Sequence, residues 1–278
     1  MAKIRLDQLL VQRGLTESRE LAQRLILAGE VSVNGQKATK AGHTYPDDAD
    51  ILLAAKPRFV SRGGEKLQGA FDCFPLNVEG LCCLDVGAST GGFTDCLLQH
   101  GARRVLSVDV GTNQLHYKLR SDPRVWSKEQ FNARYMTPAD LPEVPSFGVT
   151  DVSFISLKLI LPPMAACLAP GSQIISLIKP QFEAGRKDVP HGVVRDEAVR
   201  RRVVEEIRAF GTQELGLEWL GCERSPLLGP EGNVEFLAWW KTPSRGEPAC
   251  GVTRHPKCAV VRVNERKVHL LLPKRGST

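Results

Sequence analysis

A strand that runs into a glycine turn and on into a helix constrains this chain more than any other feature. Cys82–Val86 is apolar enough for a strand buried on both faces, residues 87–92 form a glycine-rich turn, and residues 93–100 read as a helix closed by Gly101. Glycines in such a turn let the backbone approach a ligand, and the free N–H groups at the helix start point at it. The alternation continues along the chain. Arg104–Val108 is a strand ending in Asp109, residues 114–119 a short helix, and residues 149–152 a strand around Asp151. Residues 157–168 are helical, with Pro162 and Pro163 expected to break or kink them. Gln173–Ile178 is a strand leading into Lys179, residues 195–211 form a helix, and residues 217–223 and 234–240 pair as a late hairpin. Such βαβ units predict an α/β fold.

Three chemistries use a turn of this kind. A nicotinamide-binding fingerprint needs glycines two and then three apart, whereas Gly87, Gly91 and Gly92 are spaced four and one. Gly87-Ala-Ser89-Thr-Gly91 satisfies the G-x-S-x-G elbow of serine hydrolases. That elbow follows several earlier strands, but this strand is the first of its sheet, and neither His100 nor His191 sits in a recognisable loop with an acid partner. The third chemistry is S-adenosylmethionine binding. Asp85-Val-Gly87-x-x-x-Gly91 matches its pattern, with Ser89 inside the turn and a second carboxylate, Asp109, closing the next strand. Carboxylates suit a cationic sulfonium cofactor that has no phosphate. A tight structural turn is the plain alternative.

Ahead of this lies a smaller pattern. Leu6, Leu9, Leu10 and Val11 recur at helical spacing, and Gly14 ends the run. Thr16 reads as the N-cap of a second helix with Leu21, Leu25, Ile26 and Leu27 on its apolar side. Val31-Ser-Val-Asn34-Gly35-Gln predicts a strand entering a tight hairpin. Together these make a small α+β module. Ser18-Arg19-x-x-Ala22 and Leu25-Ile26-x-x-Gly29-x-Val31-x-Val33-Asn34-Gly35 resemble the RNA-binding fold shared by a small-subunit ribosomal protein, pseudouridine synthases and some tRNA synthetases. The resemblance implies that Arg5, Arg13, Arg19, Arg24, Lys37 and Lys40 meet RNA phosphates. Such contacts give affinity and register, and weaken with salt. A structural cap on the larger domain is the alternative.

Charge divides in the same way. Residues 1–66 hold 11 Lys and Arg against 8 Asp and Glu, residues 67–240 hold 17 against 21, and residues 241–278 hold 9 against 2. Positive ends around an acidic middle point to a polyanion partner or to solvated faces. Pro57 puts a junction near residues 55–60, giving an RNA-binding domain over 1–58, a catalytic domain over 59–241 and a basic tail over 242–278. In the tail, residues 258–263 and 268–272 could pair as strands. The 8 cysteines show no Cys-x-x-Cys pair and no zinc spacing, so reduced core thiols, no metal and a cytoplasmic setting are expected. No run approaches the roughly 20 apolar residues of a membrane span, and the opening residues, with Asp7 among them, do not read as a secretory signal. No membrane partner is expected, and the oligomeric state stays open.

Longer blocks are more specific than any one turn. Ser61-Arg-Gly-Gly-Glu-Lys66-Leu, Leu84-Asp-Val-Gly-Ala-Ser-Thr-Gly-Gly-Phe-Thr-Asp95, Val108-Asp-Val-Gly111, Asp151-Val-Ser-Phe-Ile-Ser156, Ile178-Lys-Pro-Gln-Phe-Glu183 and Gly232-Asn-Val-Glu-Phe-Leu237 follow in this order. On these blocks the large domain resembles the FtsJ-like RNA 2′-O-methyltransferases. With the N-terminal module, about residues 3–240 closely resemble the TlyA family of ribosomal RNA methyltransferases, some of which are labelled hemolysins. The resemblance implies a Rossmann-like class I methyltransferase fold, S-adenosyl-L-methionine as cofactor, ribosomal RNA or ribosomal subunits as partner, and cytidine as target. It carries a catalytic Lys-Asp-Lys-Glu tetrad onto Lys66, Asp151, Lys179 and Glu235, sets Phe93 over the cofactor and brings Asn132 to the adenine edge.

The chemistry supports this independently. A ribose hydroxyl is a weak nucleophile, and its proton must leave as the oxygen attacks the sulfonium methyl. A lysine takes that proton only where burial or a nearby cation favours its neutral form. Lys179 is expected to activate the hydroxyl, Lys66 to be the nearby cation, and Asp151 and Glu235 to orient the groups. Arg103, Arg104, Arg200, Arg201 and Arg202 could add phosphate contacts. Two alternatives stand. A catalytically inactive RNA- or ribosome-binding protein is opposed by the complete tetrad. A cytolysin needs an amphipathic or apolar insertion segment, and none is evident.

Overall fold

The computed structural model describes residues 3–53 and 57–244. The tail from residue 245 on, with its two expected strands, lies outside the described residues. The N-terminal unit comprises β1 (Lys3–Arg5), α1 (Leu6–Gln12), α2 (Arg19–Leu27), β2 (Val31–Val33), β3 (Gln36–Lys37), β4 (Thr44–Pro46) and β5 (Ile51–Leu53). β2 lies between β3 and β5 in an antiparallel sheet, while β1 pairs with β4. Asn34 and Gly35 make the β2–β3 turn at φ 51° and 75°, a left-handed pair whose twist suits a two-residue hairpin. Leu6 and Leu10 of α1 pack on Ala22 and Ile26 of α2 and on Val31 and Val33. The cap of α2 is Ser18, not Thr16. Ser18 is still extended, and its side chain accepts from Leu21 N–H at 3.2 Å, while Thr16 is buried two residues earlier.

The larger unit runs α3 (Arg62–Cys73), β6 (Cys82–Val86), α4 (Gly92–Gln99), β7 (Arg104–Val108), α5 (Tyr117–Arg120), β8 (Val125–Lys128), β9 (Phe147–Thr150), α6 (Leu161–Cys167), β10 (Gln173–Ile178), α7 (Pro180–Glu183), α8 (Glu197–Ala209), β11 (Glu218–Arg224) and β12 (Phe236–Lys241). Seven strands form one sheet in the order β11-β12-β10-β9-β6-β7-β8. From β10 to β8 they run parallel, and β12 and β11 return antiparallel. Alternate residues serve opposite faces. Cys83, Val105 and Ile175 join Leu67 of α3 and Leu97 of α4, while Leu84, Leu106 and Ile174 join Met164 of α6 and Val203 of α8. Helices on both faces explain why β6 and β9 are buried throughout. This is the expected Rossmann-like α/β fold beside a small α+β unit.

Several boundaries differ from expectation. The sequence predicts a helix over 65–74 that follows the glycine pair, but α3 begins at Arg62, so Gly63 and Gly64 lie inside its first turn. Pro162 and Pro163 do not kink a longer helix; they open α6, where the first turn has no use for their missing N–H groups. β9 ends at Thr150 and leaves Asp151 just beyond it. No helix among the described residues is long and apolar enough to cross a membrane. Cys82, Cys83, Cys96 and Cys167 are buried free thiols, Cys222 is half-buried, and Cys73 is exposed. Cys250 and Cys258 lie outside the described residues.

Candidate active site

β6 is flanked by β7 on one side and β9 on the other, so successive crossovers diverge and open a crevice at the carboxyl ends of the strands. Gly87, Asp109, Asp151 and Lys179 are each the first residue past β6, β7, β9 and β10. β12 runs the other way, so its beginning reaches the same edge. Glu235 immediately precedes Phe236, which pairs with Ile178. A cleft of about 790 Å³ opens here, with Lys66, Gly87, Ser89, Phe93, Asp151 and Lys179 among its walls. That volume suits a nucleoside-sized ligand.

Two ion pairs stand at this edge. Lys66 Nζ donates to Glu235 Oε2 at 2.6 Å. Lys179 Nζ lies 2.6 Å from Asp151 Oδ1 and donates to Ser153 Oγ at 2.9 Å. All four tetrad side chains are largely removed from solvent, Glu235 completely. Buried pairs of this kind add little net stability, because desolvation offsets most of the Coulomb gain. Their placement is therefore better explained by chemistry than by folding. Each lysine has its own carboxylate, Glu235 for Lys66 and Asp151 for Lys179, in keeping with the orienting role expected of both carboxylates. Glu235 does not line the cleft; it stands behind Lys66. Gly229 abuts it, and any β-carbon there would run into the carboxylate.

The expected cofactor residues fall into four groups. Gly87, Ser89, Gly91 and Phe93 build the turn and the start of α4. Gly87 sits at φ 84°, and a β-carbon on it would lie 2.9 Å from the Asp151 carbonyl oxygen, so the turn needs both its freedom and its smallness. Asp109 accepts from Ser89 N–H and Gly111 N–H, both at 2.7 Å, and still has lone pairs for hydroxyl donors. Asp85 is sealed beneath the turn. Its Oδ2 accepts from Thr94 Oγ1 at 2.6 Å, while Oδ1 is buried with no partner in the protein. Burial pushes this carboxyl up to about 7, against the hydrogen bond from Thr94. The glycine cradle, the orphaned Asp85 oxygen and the half-buried Asp109 fit S-adenosylmethionine. Asn132 does not join them. It is exposed, outside the cleft walls, and its side chain accepts from Arg134 N–H at 3.1 Å as the cap of the short turn Ala133–Tyr135.

Sequence reasoning passed over four residues. Ser153 holds Lys179; Gln181 donates to Glu235 Oε1 at 3.4 Å; Phe154 is 90% exposed at φ 62° on the cleft wall. All three lie inside the quoted blocks, which were read for their charged members alone. Glu129 binds the N–H groups of Asn113, Gln114 and Leu115 and shapes the loop after Asp109. It follows β8, a strand the sequence reading did not include. Among the described residues no histidine lines the cleft, so none of them offers Ser89 the base that a hydrolase elbow requires.

The candidate RNA contacts also separate. Arg5 and Arg19 each place a nitrogen 3.0 Å from Oδ2 of the buried Asp7, which Arg5 above all holds well below the usual carboxylate range. Arg13 donates to the Ala49 carbonyl at 2.7 Å. Arg24, Lys37 and Lys40 are exposed. In the larger unit Arg103 and Arg104 pair with Glu143, Arg200 and Arg201 with Glu197, and Arg202 with Asp188. Those five arginines are spent on neighbours.

Comparison with known proteins agrees with this architecture. The FtsJ-like methyltransferase family matches residues 59–242, and the S4 domain matches residues 4–51. The "Putative rRNA methyltransferase YqxC" of Bacillus subtilis is 45% identical over 99% of this chain and 97% of its own length. The "16S/23S rRNA (cytidine-2'-O)-methyltransferase TlyA" of Mycobacterium tuberculosis is 44% identical, covering 86% of this chain and 90% of its own. A solved structure, "Putative hemolysin from Streptococcus thermophilus", superposes with a TM-score of 0.67 at 47% identity, covering 89% of this chain and 92% of that one. The crevice, its glycine turn and the lysine–carboxylate pairs thus belong to a chain of the FtsJ-like methyltransferase family, in the TlyA branch that carries an S4 domain ahead of the catalytic unit.

Proposed function

We propose that this protein methylates the 2′-hydroxyl of a cytidine ribose in ribosomal RNA, in one or both ribosomal subunits. The observation that carries the reading is the pair of lysine–carboxylate contacts, Lys66–Glu235 and Lys179–Asp151, beside the Gly87 turn. S-adenosylmethionine supplies the methyl group from its sulfonium. Gly87, Ser89, Gly91 and Asp109 would hold it, with Asp85 beneath them. Residues 1–58 would grip RNA and residues 59–241 would carry out the transfer.

In this mechanism Lys179, once its own proton has left to solvent, accepts the hydroxyl proton at Nζ as the ribose oxygen bonds to the methyl carbon and the bond from that carbon to the sulfonium sulfur breaks, leaving a neutral thioether. Asp151 and Ser153 orient Nζ, and Asp151, 2.6 Å away, offsets the positive charge that returns to Nζ with the proton. Lys66, held by Glu235, stands on the cleft wall where its charge favours the negative charge that builds on oxygen. General-base help of this kind contributes on the order of 10²–10⁴ in rate. Lys179→Ala should therefore lower methyl transfer at least about a hundredfold. Purified ribosomal subunits, incubated with cofactor and protein and mapped for ribose methylation by mass spectrometry, test both claims. No added methyl with intact protein would end the enzyme reading. Full activity in Lys179→Ala would remove Lys179 from its role alone.

A further inference from the structure

The two segments that carry Lys179 and its acceptors are tied together a second time, by residues that do not line the cleft. Glu183, the last residue of α7, accepts from Ser156 Oγ at 2.6 Å and from Leu157 N–H at 2.7 Å. Lys179 stands just before α7, while Asp151 and Ser153 stand just before Ser156. A single carboxylate, with both oxygens engaged, thus bridges residues 179–183 to residues 151–157.

We propose that Glu183 is a positioning residue for methyl transfer, fixing Lys179 against Asp151 and Ser153 without touching the substrate. The inference rests on the proposed function. Residues 151–156 are neither helix nor strand and need anchors. At the front, Asp151 N–H donates to the Val86 carbonyl at 3.2 Å. At the back, Glu183 is the anchor. Between them Phe154 sits at φ 62°, a conformation that a bulky side chain keeps only where its surroundings impose it. Phe154 is 90% exposed, and its one ring contact among the described residues, with Phe182 of α7 at 5.0 Å between centroids, is a further tie between the same two segments.

Glu183 is also an expensive choice of anchor. It is half-buried, forms no ion pair among the described residues, and burial raises its pKa. A carboxylate offers two acceptors at once, which this bridge uses. The plainer role, capping the short turn Leu157–Leu159, is shared with Ser156, whose Oγ already accepts from Lys158 N–H at 3.1 Å.

Glu183→Gln can keep both contacts, accepting from Leu157 with its oxygen and donating to Ser156 with its nitrogen. Glu183→Ala keeps neither, and Ser156→Ala loses one, which serves if Glu183→Ala fails to fold. Hydrogen exchange followed by mass spectrometry reads the clamp without any turnover. Glu183→Ala should speed exchange over residues 152–157 and leave residues 84–94 at the wild-type rate. With ribosomal subunits, its kcat should fall about ten- to a hundredfold, because small misplacements of reacting groups cost that much. Cofactor Kd by calorimetry should stay within about twofold, and Glu183→Gln should recover most of kcat. Unchanged exchange over 152–157, kcat lost equally in Glu183→Gln, or cofactor affinity lost in step with kcat would each overturn the proposal. If wild-type protein methylates nothing, the proposed function fails, and the exchange result still decides the clamp.

Discussion

At the scale of single residues, the site places its charges where strands stop. Gly87, Asp109 and Lys179 were legible because a strand's end can be read from the sequence beside it, whereas Asp151, expected within residues 149–152, stands just past β9. Glu235 was legible only through its block, since nothing local shows that β12 runs antiparallel and brings its first turn to the same edge. Asp85 was legible as a carboxylate but not as a sealed one. Its burial has a consequence in pH. The unfolded carboxyl ionises near its ordinary value of 3.8, while the folded one keeps its proton to about 7. Across that window the folded state binds more protons than the unfolded state, so stability falls as pH rises from about 4 to about 7 and stays lower above it. Asp85→Asn cannot ionise. Its Tm relative to wild type should therefore climb between pH 4 and pH 7 and then level off. Thermal melts of both proteins across pH 4–8 check this, and parallel curves would mean that the buried carboxyl costs the fold nothing.

At the scale of elements, the sequence was most reliable for strands covered on both faces and weakest at the sheet's edge. Cys82–Val86, Arg104–Val108 and Gln173–Ile178 appear with the expected bounds. β8 was missed because Val125–Lys128 is short, outermost and only half-buried, so its pattern carries little apolar signal. The helix expected over 114–119 is observed as Tyr117–Arg120: His116 is still non-helical and caps it, while the N–H groups of residues 113–115 go to Glu129. The β6–α4 turn is the element on which the cleft depends, and Gly87→Ala tests it. A left-handed backbone costs an L-residue about 1–2 kcal/mol, and the new β-carbon would also press on the Asp151 carbonyl. Tm should fall by about 2–8 °C, and cofactor Kd by calorimetry should rise at least about tenfold. Unaltered affinity would show that the cradle lies elsewhere.

At the scale of the whole molecule, net charge predicts less than how the charges are spent. The five arginines expected at RNA in the larger unit, Arg103, Arg104, Arg200, Arg201 and Arg202, pair with Glu143, Glu197 and Asp188, and two of the N-terminal arginines share Asp7. Arg24, Lys37 and Lys40 are exposed and form no ion pair among the described residues, which leaves them able to replace counterions on a phosphate backbone. Each phosphate neutralised in this way contributes about 0.7–0.9 to the slope of log affinity against log salt. On the proposed function, the full-length chain with all three changed to alanine should bind ribosomal RNA with a slope shallower by about 2–3, while its cofactor Kd stays at the wild-type value. Affinity measured by filter binding from about 50 to 200 mM salt reads the slope directly. A neutral cap on the catalytic unit would leave that slope where it was. A change in cofactor affinity would mean instead that the N-terminal unit acts on the cleft itself.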